Sequence, residues 1–134
     1  THRREKAVYE FNQALKYDKN HWPSLQHLGA AYKYLGQYGK AIRCFLKLLS
    51  HNPKRFLYRI HLAEAYLLAG ETRRGEAILE KAFSATPPQA VLSTLLSPPP
   101  WALQEGIPWF ETVFAHAEAF YGSEVLSSLR QKKP

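Results

Sequence analysis

The sequence has few of the residues that catalysis, metal binding or disulfide stapling would need. It contains one cysteine, Cys44, and no methionine; a lone thiol excludes an intramolecular disulfide framework and is what a reducing compartment permits. Acidic residues are scarce: 11 Asp and Glu stand against 18 Lys and Arg, a formal charge of +7, and none occurs between Asp18 and Glu64. No apolar run approaches the roughly 18 consecutive residues that a membrane-crossing helix needs. No charged, apolar and small-residue leader of the signal-peptide kind opens the chain, so a cytoplasmic location is the expectation. A Gly-rich phosphate loop, H-E-x-x-H, paired cysteine ligands and a nucleophile elbow are all missing. Neither an enzyme, nor a cofactor, nor a metal centre, nor a small-molecule substrate is expected.

What the chain does contain is a period. Leu28, Tyr32, Gly36, Phe45 and Pro53 return 34 residues later as Leu62, Tyr66, Gly70, Leu79 and Pro87. The same step backwards from Ala41, Phe45 and Leu48 reaches Ala7, Phe11 and Ala14. Each period holds two amphipathic stretches split by a glycine, which is the pattern of a helical hairpin. Units of this size bury their apolar faces only by stacking on one another, so the expected architecture is an all-α solenoid. With 134 residues, 46% of them hydrophobic, the chain is long enough for one domain with a real core.

Leu25-x-x-Leu28-Gly29-x-x-Tyr32, followed by Ala41-x-x-x-Phe45 and Pro53, resembles the tetratricopeptide (TPR) repeat, with Leu25 in place of the usual Trp. In the next unit Ala63, Gly75 and Leu79 replace the consensus Gly, Ala and aromatic, exchanges that a helix–helix contact absorbs; Lys19 replaces the closing Pro of the first unit. The resemblance covers about residues 1–89. It implies a right-handed superhelix of antiparallel helix pairs, with peptide or protein binding and no catalysis.

In order, residues 1–21 read as a partial repeat whose second helix, 3–17, turns Ala7, Val8, Phe11, Ala14 and Leu15 to one face and Arg3, Arg4, Glu5, Lys6 and Lys16 elsewhere. A second helix without its first suggests a fragment of a longer array. Residues 22–55 form one full repeat, with helices to about Leu35 and over Tyr38–Ser50. Residues 56–89 form another, with helices over 56–69 and from Thr72 to the Thr86-Pro87-Pro88 stop. Residues 90–97 are a transition with one short helix that completes the 1–97 array, and 98–107 a connector that Pro98, Pro99 and Pro100 bias toward polyproline II. In the segment 108–134, Phe110, Val113, Phe114, Ala117, Phe120 and Tyr121 lie at helical spacing, and Gly122 either breaks the helix or sits inside it. This segment is expected to cap the array, since terminal repeats need an atypical cover. Its two available receivers are the open end after Ala82 and Phe83 and the inner face around Tyr34, Leu57, Ile60 and Leu68.

Six basic residues fall between Trp22 and Arg55 without one acid, so the middle repeat holds nearly the whole charge excess. Lys40, Arg43 and Lys47, with His51, recur three or four apart and form a stripe along one helix. It is either a solvated face or a docking surface for an acidic partner, because clustered like charge steers association. A basic, non-specific nucleic-acid-binding element is the weaker alternative, since no base-reading module accompanies the stripe. A further alternative rests on Gly36-Gln37-Tyr38 with Ala41-Ile42, then Arg55-Phe56 and Ala63-Glu64. These are similar to type III secretion chaperones, a class that tends to be acidic where this chain is basic. Self-association is left open.

In TPR proteins the first helices of successive repeats line the concave face, where recognition residues sit. By repeat position the resemblance assigns Gln26, His27, Ala30, Lys33 and Tyr34 from one unit, and Leu57, Ile60, His61, Glu64, Leu67 and Leu68 from the next. The subclass that clamps a C-terminal carboxylate uses Lys, Asn and Arg at places here filled by Gln26, Ala30, Ile60 and Glu64, which argues against it. So apolar a groove favours a peptide or helix with hydrophobic anchors, unless the C-terminal third covers it. His27 and His61 occupy one repeat position and could face each other; without a third ligand in register they read as packing or partner contacts before a metal pair. Cys44, beside the inward Phe45, reads as a small buried hydrophobe.

Overall fold

The computed structural model describes residues 2–104, 106 and 108–131. Thr1, the side chains of His2, Arg3 and Arg4, residues 105 and 107 of the connector and residues 132–134 of the last segment lie outside that description. Among the described residues there are nine helices and no strand: α1 (His2–Tyr17), α2 (Trp22–Tyr34), α3 (Tyr38–His51), α4 (Phe56–Leu68), α5 (Thr72–Ser84), α6 (Pro88–Leu95), α7 (Pro100–Gln104), α8 (Glu111–Tyr121) and α9 (Ser123–Gln131).

Helix starts and stops follow local chemistry. His21 caps α2: its Nδ1 accepts from the Ser24 N–H at 3.3 Å and lies 2.6 Å from the Ser24 hydroxyl, while Pro23 sits in the first turn, where its missing donor costs nothing. Gly36 and Gly70 end α2 and α4 in the left-handed region (φ 82° and 87°). At each, the following amide reaches back to a tyrosine carbonyl, Gln37 to Tyr32 and Glu71 to Tyr66, both at 2.9 Å, the closure that a left-handed glycine permits. After so short a turn α2 and α3 run antiparallel and pack along their length, as do α4 and α5. Gly29 and Gly75 permit the close approach: a Cβ at either would sit 2.7 Å from a neighbouring side chain, Phe45 Cζ in the first pair and Leu67 Cγ in the second.

Two clusters make the core. One joins Leu25, Leu28, Ala41, Phe45 and Leu48 to Tyr58, Leu62 and Ala65 across the first full repeat. The other joins Ile60, Ala63, Leu79 and Phe83 to Val91, Leu92 and Leu95 of α6, Val113 and Ala117 of α8, and Leu126 of α9. The C-terminal helices therefore close the end after α5, with the Tyr121 hydroxyl 2.7 Å from the Phe83 carbonyl and 3.0 Å from that of Thr86. Gly122, at φ 95°, separates α8 from α9. Leu79 is buried and Tyr66 half-buried, so Leu79→Ala is expected to cost about 2–5 kcal/mol in urea unfolding; a loss well under 1 kcal/mol would mean that the cluster does not hold the repeat.

The connector departs from the polyproline expectation. Pro100 opens the short helix α7, with the Ala102 and Leu103 amides both donating to the Pro99 carbonyl. A proline is tolerated at a first helical position.

Candidate functional site

α2 and α4 lie side by side on the inner face, and a charged group from each meets at its centre. The Lys33 ammonium is 2.7 Å from Glu64 Oε1, with both side chains almost wholly enclosed. It is also 3.0 Å from His61 Nδ1. An ammonium only donates, so Nδ1 accepts and the imidazole carries its proton on Nε2. The Tyr34 hydroxyl lies 2.9 Å from the same Glu64 oxygen and 2.5 Å from the Pro108 carbonyl; its single proton serves one acceptor at a time. Aromatic faces surround the cation, with Tyr34 and Phe110 each 4.9 Å from Lys33 Nζ. Among the described residues no buried side-chain nitrogen or oxygen lacks a partner.

Burial governs the ionisation of this cluster. It lowers the Lys33 pKa, against the opposing pull of the Glu64 carboxylate. It holds the His61 imidazole well below its ordinary range, helped by the adjacent Lys33 charge, and raises the Tyr34 phenol, helped by Glu64. On α3, Cys44 is pushed up to about 11 by burial, which leaves an unreactive thiol.

The covering comes from the chain itself. The described residues between Pro98 and Phe110 form a strap over the inner face, and its aromatic rings seat on the two histidines. Trp101 lies against His27 at 4.4 Å with the rings tilted by 48°, and His27 stacks on Phe11 at 5.0 Å. Trp109 meets His61 edge-on at 5.4 Å and donates its indole N–H to the Thr94 carbonyl at 3.1 Å. Phe110 is fully buried, 4.5 Å from the His61 ring, whose other side stacks on Phe45 at 4.6 Å, nearly parallel. Phe110 also has φ 57°, the one left-handed non-glycine residue among those described. A bulky side chain adopts that conformation only when its surroundings impose it.

Of the residues assigned to the concave face, Ala30, Lys33, Ile60, His61 and Glu64 are buried, enclosed by the strap and by the helices themselves. Gln26, His27, Tyr34 and Leu57 are partly open and Leu68 is exposed. The two histidines do not face one another; each is held in its own aromatic stack. Gln26 spends its amide N–H on the Tyr58 hydroxyl at 2.7 Å. Sequence reasoning did not place Trp101 at the site; the available signal was its position directly after three prolines, since an aromatic next to a rigid turn is a ready anchor. On the back of the repeat, Arg43 is exposed, Lys40 lies over the Tyr32 ring at 5.4 Å, Lys47 donates to the Lys19 carbonyl at 2.9 Å and His51 packs on Trp22. None of Lys40, Arg43 and Lys47 has a carboxylate within ion-pair distance among the described residues.

The His61 shift has a measurable consequence. In the unfolded chain the imidazole titrates near 6.5, whereas in the fold it stays neutral to much lower pH. Below 6.5 the unfolded state therefore binds a proton that the folded state refuses, and stability present above that pH is lost as pH falls, by about 1.4 kcal/mol per unit. The charged or titratable groups around it are Lys33, Glu64 and Tyr34. Urea midpoints at pH 7, 6 and 5 are expected to fall steeply in the parent and less in His61→Gln; equal slopes would assign the acid loss to carboxylates elsewhere.

Stacked helical hairpins with a shared inner face define a helical-repeat protein. Residues 22–55 match the family model of the tetratricopeptide repeat, and the consecutive helices packed pairwise around that repeat fit a TPR-type repeat protein. Such repeats are generally non-catalytic modules for protein–protein interaction. No curated protein and no solved structure matches the chain. No described helix is long and apolar enough to cross a membrane, and no cluster of three metal-binding side chains occurs among the described residues.

Proposed function

We propose that the chain is a non-enzymatic adaptor that holds a peptide or helix of a partner protein on the inner face of α2 and α4, beside the strap. The observation that carries this reading is that the face already accommodates a chain segment in detail: rings seat on His27 and His61, and a main-chain carbonyl takes the Tyr34 hydroxyl. The strap divides the face into two openings, one bordered by Gln26 and Leu57 with Trp101 and Trp109, the other by Tyr34 and Leu68 with Pro108 and Glu111. A partner would meet Gln26, His27 and Leu57 in the first and Tyr34 and Leu68 in the second. Ala30, Lys33, Ile60, His61 and Glu64 would act from beneath. A photo-crosslinking residue at Leu57 or Leu68 is expected to capture one partner that the same residue at Arg43 or Lys47 does not; capture from α3 alone would sink this reading.

A second reading has its own observation, the basic stripe on α3, in which Lys40 and Arg43 are exposed, Lys47 is partly exposed and none has a carboxylate within ion-pair distance among the described residues. Basic residues so placed would speed the approach of an acidic partner. Reversing Arg43 and Lys47 to Glu is expected to slow association at least tenfold at low salt with helicity unchanged. Stopped-flow rates that do not move would leave the stripe as a solvated face, and a steep salt dependence with nucleic acid alone would favour the phosphate-binding alternative.

A further inference from the structure

We infer that the opening on the Gln26 side of the strap is a subsite for a prolyl residue of the bound segment. The inference rests on the inner-face reading above and names the chemistry of its occupant. A cavity of about 190 Å³ lies there, walled by Leu57, Pro99, Trp101 and Trp109 and bordered by Gln26 and the His61 ring. It has room for a side chain or two, not for an extended ligand.

The floor of the cavity is an unusual donor. His61 is only 3% exposed, and its Nδ1 is occupied by Lys33. Its Nε2–H has no protein partner among the described residues, yet no fully enclosed side-chain nitrogen lacks one. The His61 ring lines the cavity, and an Nε2–H without a described partner is available to an occupant there. A donor so deeply set and still unpaired calls for an acceptor oxygen from outside.

Three features select the occupant. No Lys, Arg, Asp or Glu lines the cavity, so nothing there compensates the desolvation of a charged group. The walls are two indoles and a pyrrolidine, with the indoles perpendicular at 6.0 Å, a surface suited to a flat apolar ring. An ordinary residue would also bring a main-chain N–H, for which only the Gln26 amide oxygen and the Thr94 and Ser97 hydroxyl oxygens at the border could accept. A prolyl residue has no N–H to orphan, and the carbonyl preceding it supplies the acceptor for His61.

The test uses the full 134-residue chain and two blocked ten-residue peptides, one of proline and one of alternating alanine and serine, followed by tryptophan fluorescence and by the His61 ring resonances. The proline peptide is expected to bind saturably and at least tenfold more tightly than the control, shifting the His61 Nε2–H signal. Two variants are each expected to weaken it at least tenfold: Trp101→Ala, which removes a wall, and Ser97→Trp, which plugs the mouth from an exposed position and keeps the test valid if the first variant fails to fold. Equal affinity for both peptides, or binding that neither variant alters, overturns the inference. Capture of a partner at Leu57 or Leu68 without proline binding would remove the prolyl subsite alone. Proline binding with partner capture only from α3 would remove the inner-face reading and leave the subsite.

Discussion

Glu64→Leu alone is expected to destabilise the fold by about 3–5 kcal/mol, whereas the pair Lys33→Met with Glu64→Leu is expected to fall within about 1 kcal/mol of the parent. The physical reason is that the ion pair spans α2 and α4 with both side chains out of water. Removing one partner leaves a desolvated charge, with only His61 and aromatic faces as company. Removing both exchanges the pair for apolar volume, a gain that offsets the cost of about 1–3 kcal/mol for leaving His61 Nδ1 unpaired. Urea unfolding of the two variants measures the contrast directly. Equal losses would show that the site tolerates an isolated ammonium, for which water beneath the strap would be needed.

Phe110→Ala is the second large effect, expected to cost about 3–5 kcal/mol as the truncation of a fully buried aromatic. Phe110→Gly, although it removes still more, is expected to cost no more than Ala and roughly 1 kcal/mol less if backbone conformation decides, because glycine adopts φ 57° without penalty and alanine does not. The order of the two variants in thermal or urea unfolding is the measurement. Ala more stable than Gly would mean that the strap relaxes out of the left-handed region once the ring is gone. Either variant also uncovers Lys33 and His61, since Phe110 lies against both, so the steep acid loss of stability predicted for His61 should flatten in parallel.

A single segment joins the two expected roles of the C-terminal third. α8 and α9 close the array over Leu79 and Phe83, while the strap leading into α8 crosses the inner face. The end-cap and the covered groove are alternatives only if the segment has one anchor. Here Phe110 anchors the groove at the residue where α8 begins, so truncation after Ser97 should both lower stability and strip Trp101 and Trp109 from the binding face.

The helices were legible because their causes are local. Period, amphipathic spacing and chain-reversing residues are properties of neighbours in sequence, and Gly36 and Gly70 at positive φ end α2 and α4 where the pattern placed their stops. The resemblance to the tetratricopeptide repeat drew on the same local signals, and the family match at 22–55 agrees with it. The groove residues were named by repeat position, but their state was decided at longer range. Lys33 and Glu64 are 31 positions apart in sequence; their pairing depends on how one hairpin stacks on the next, and their enclosure on a segment more than 40 residues further on. Periodicity has no bearing on where a strap after three prolines will lie. That choice followed from surface still to be buried: the capping helices had one open end to cover, the loop before them had three aromatic rings, and α2 and α4 offered the rings a surface to cover.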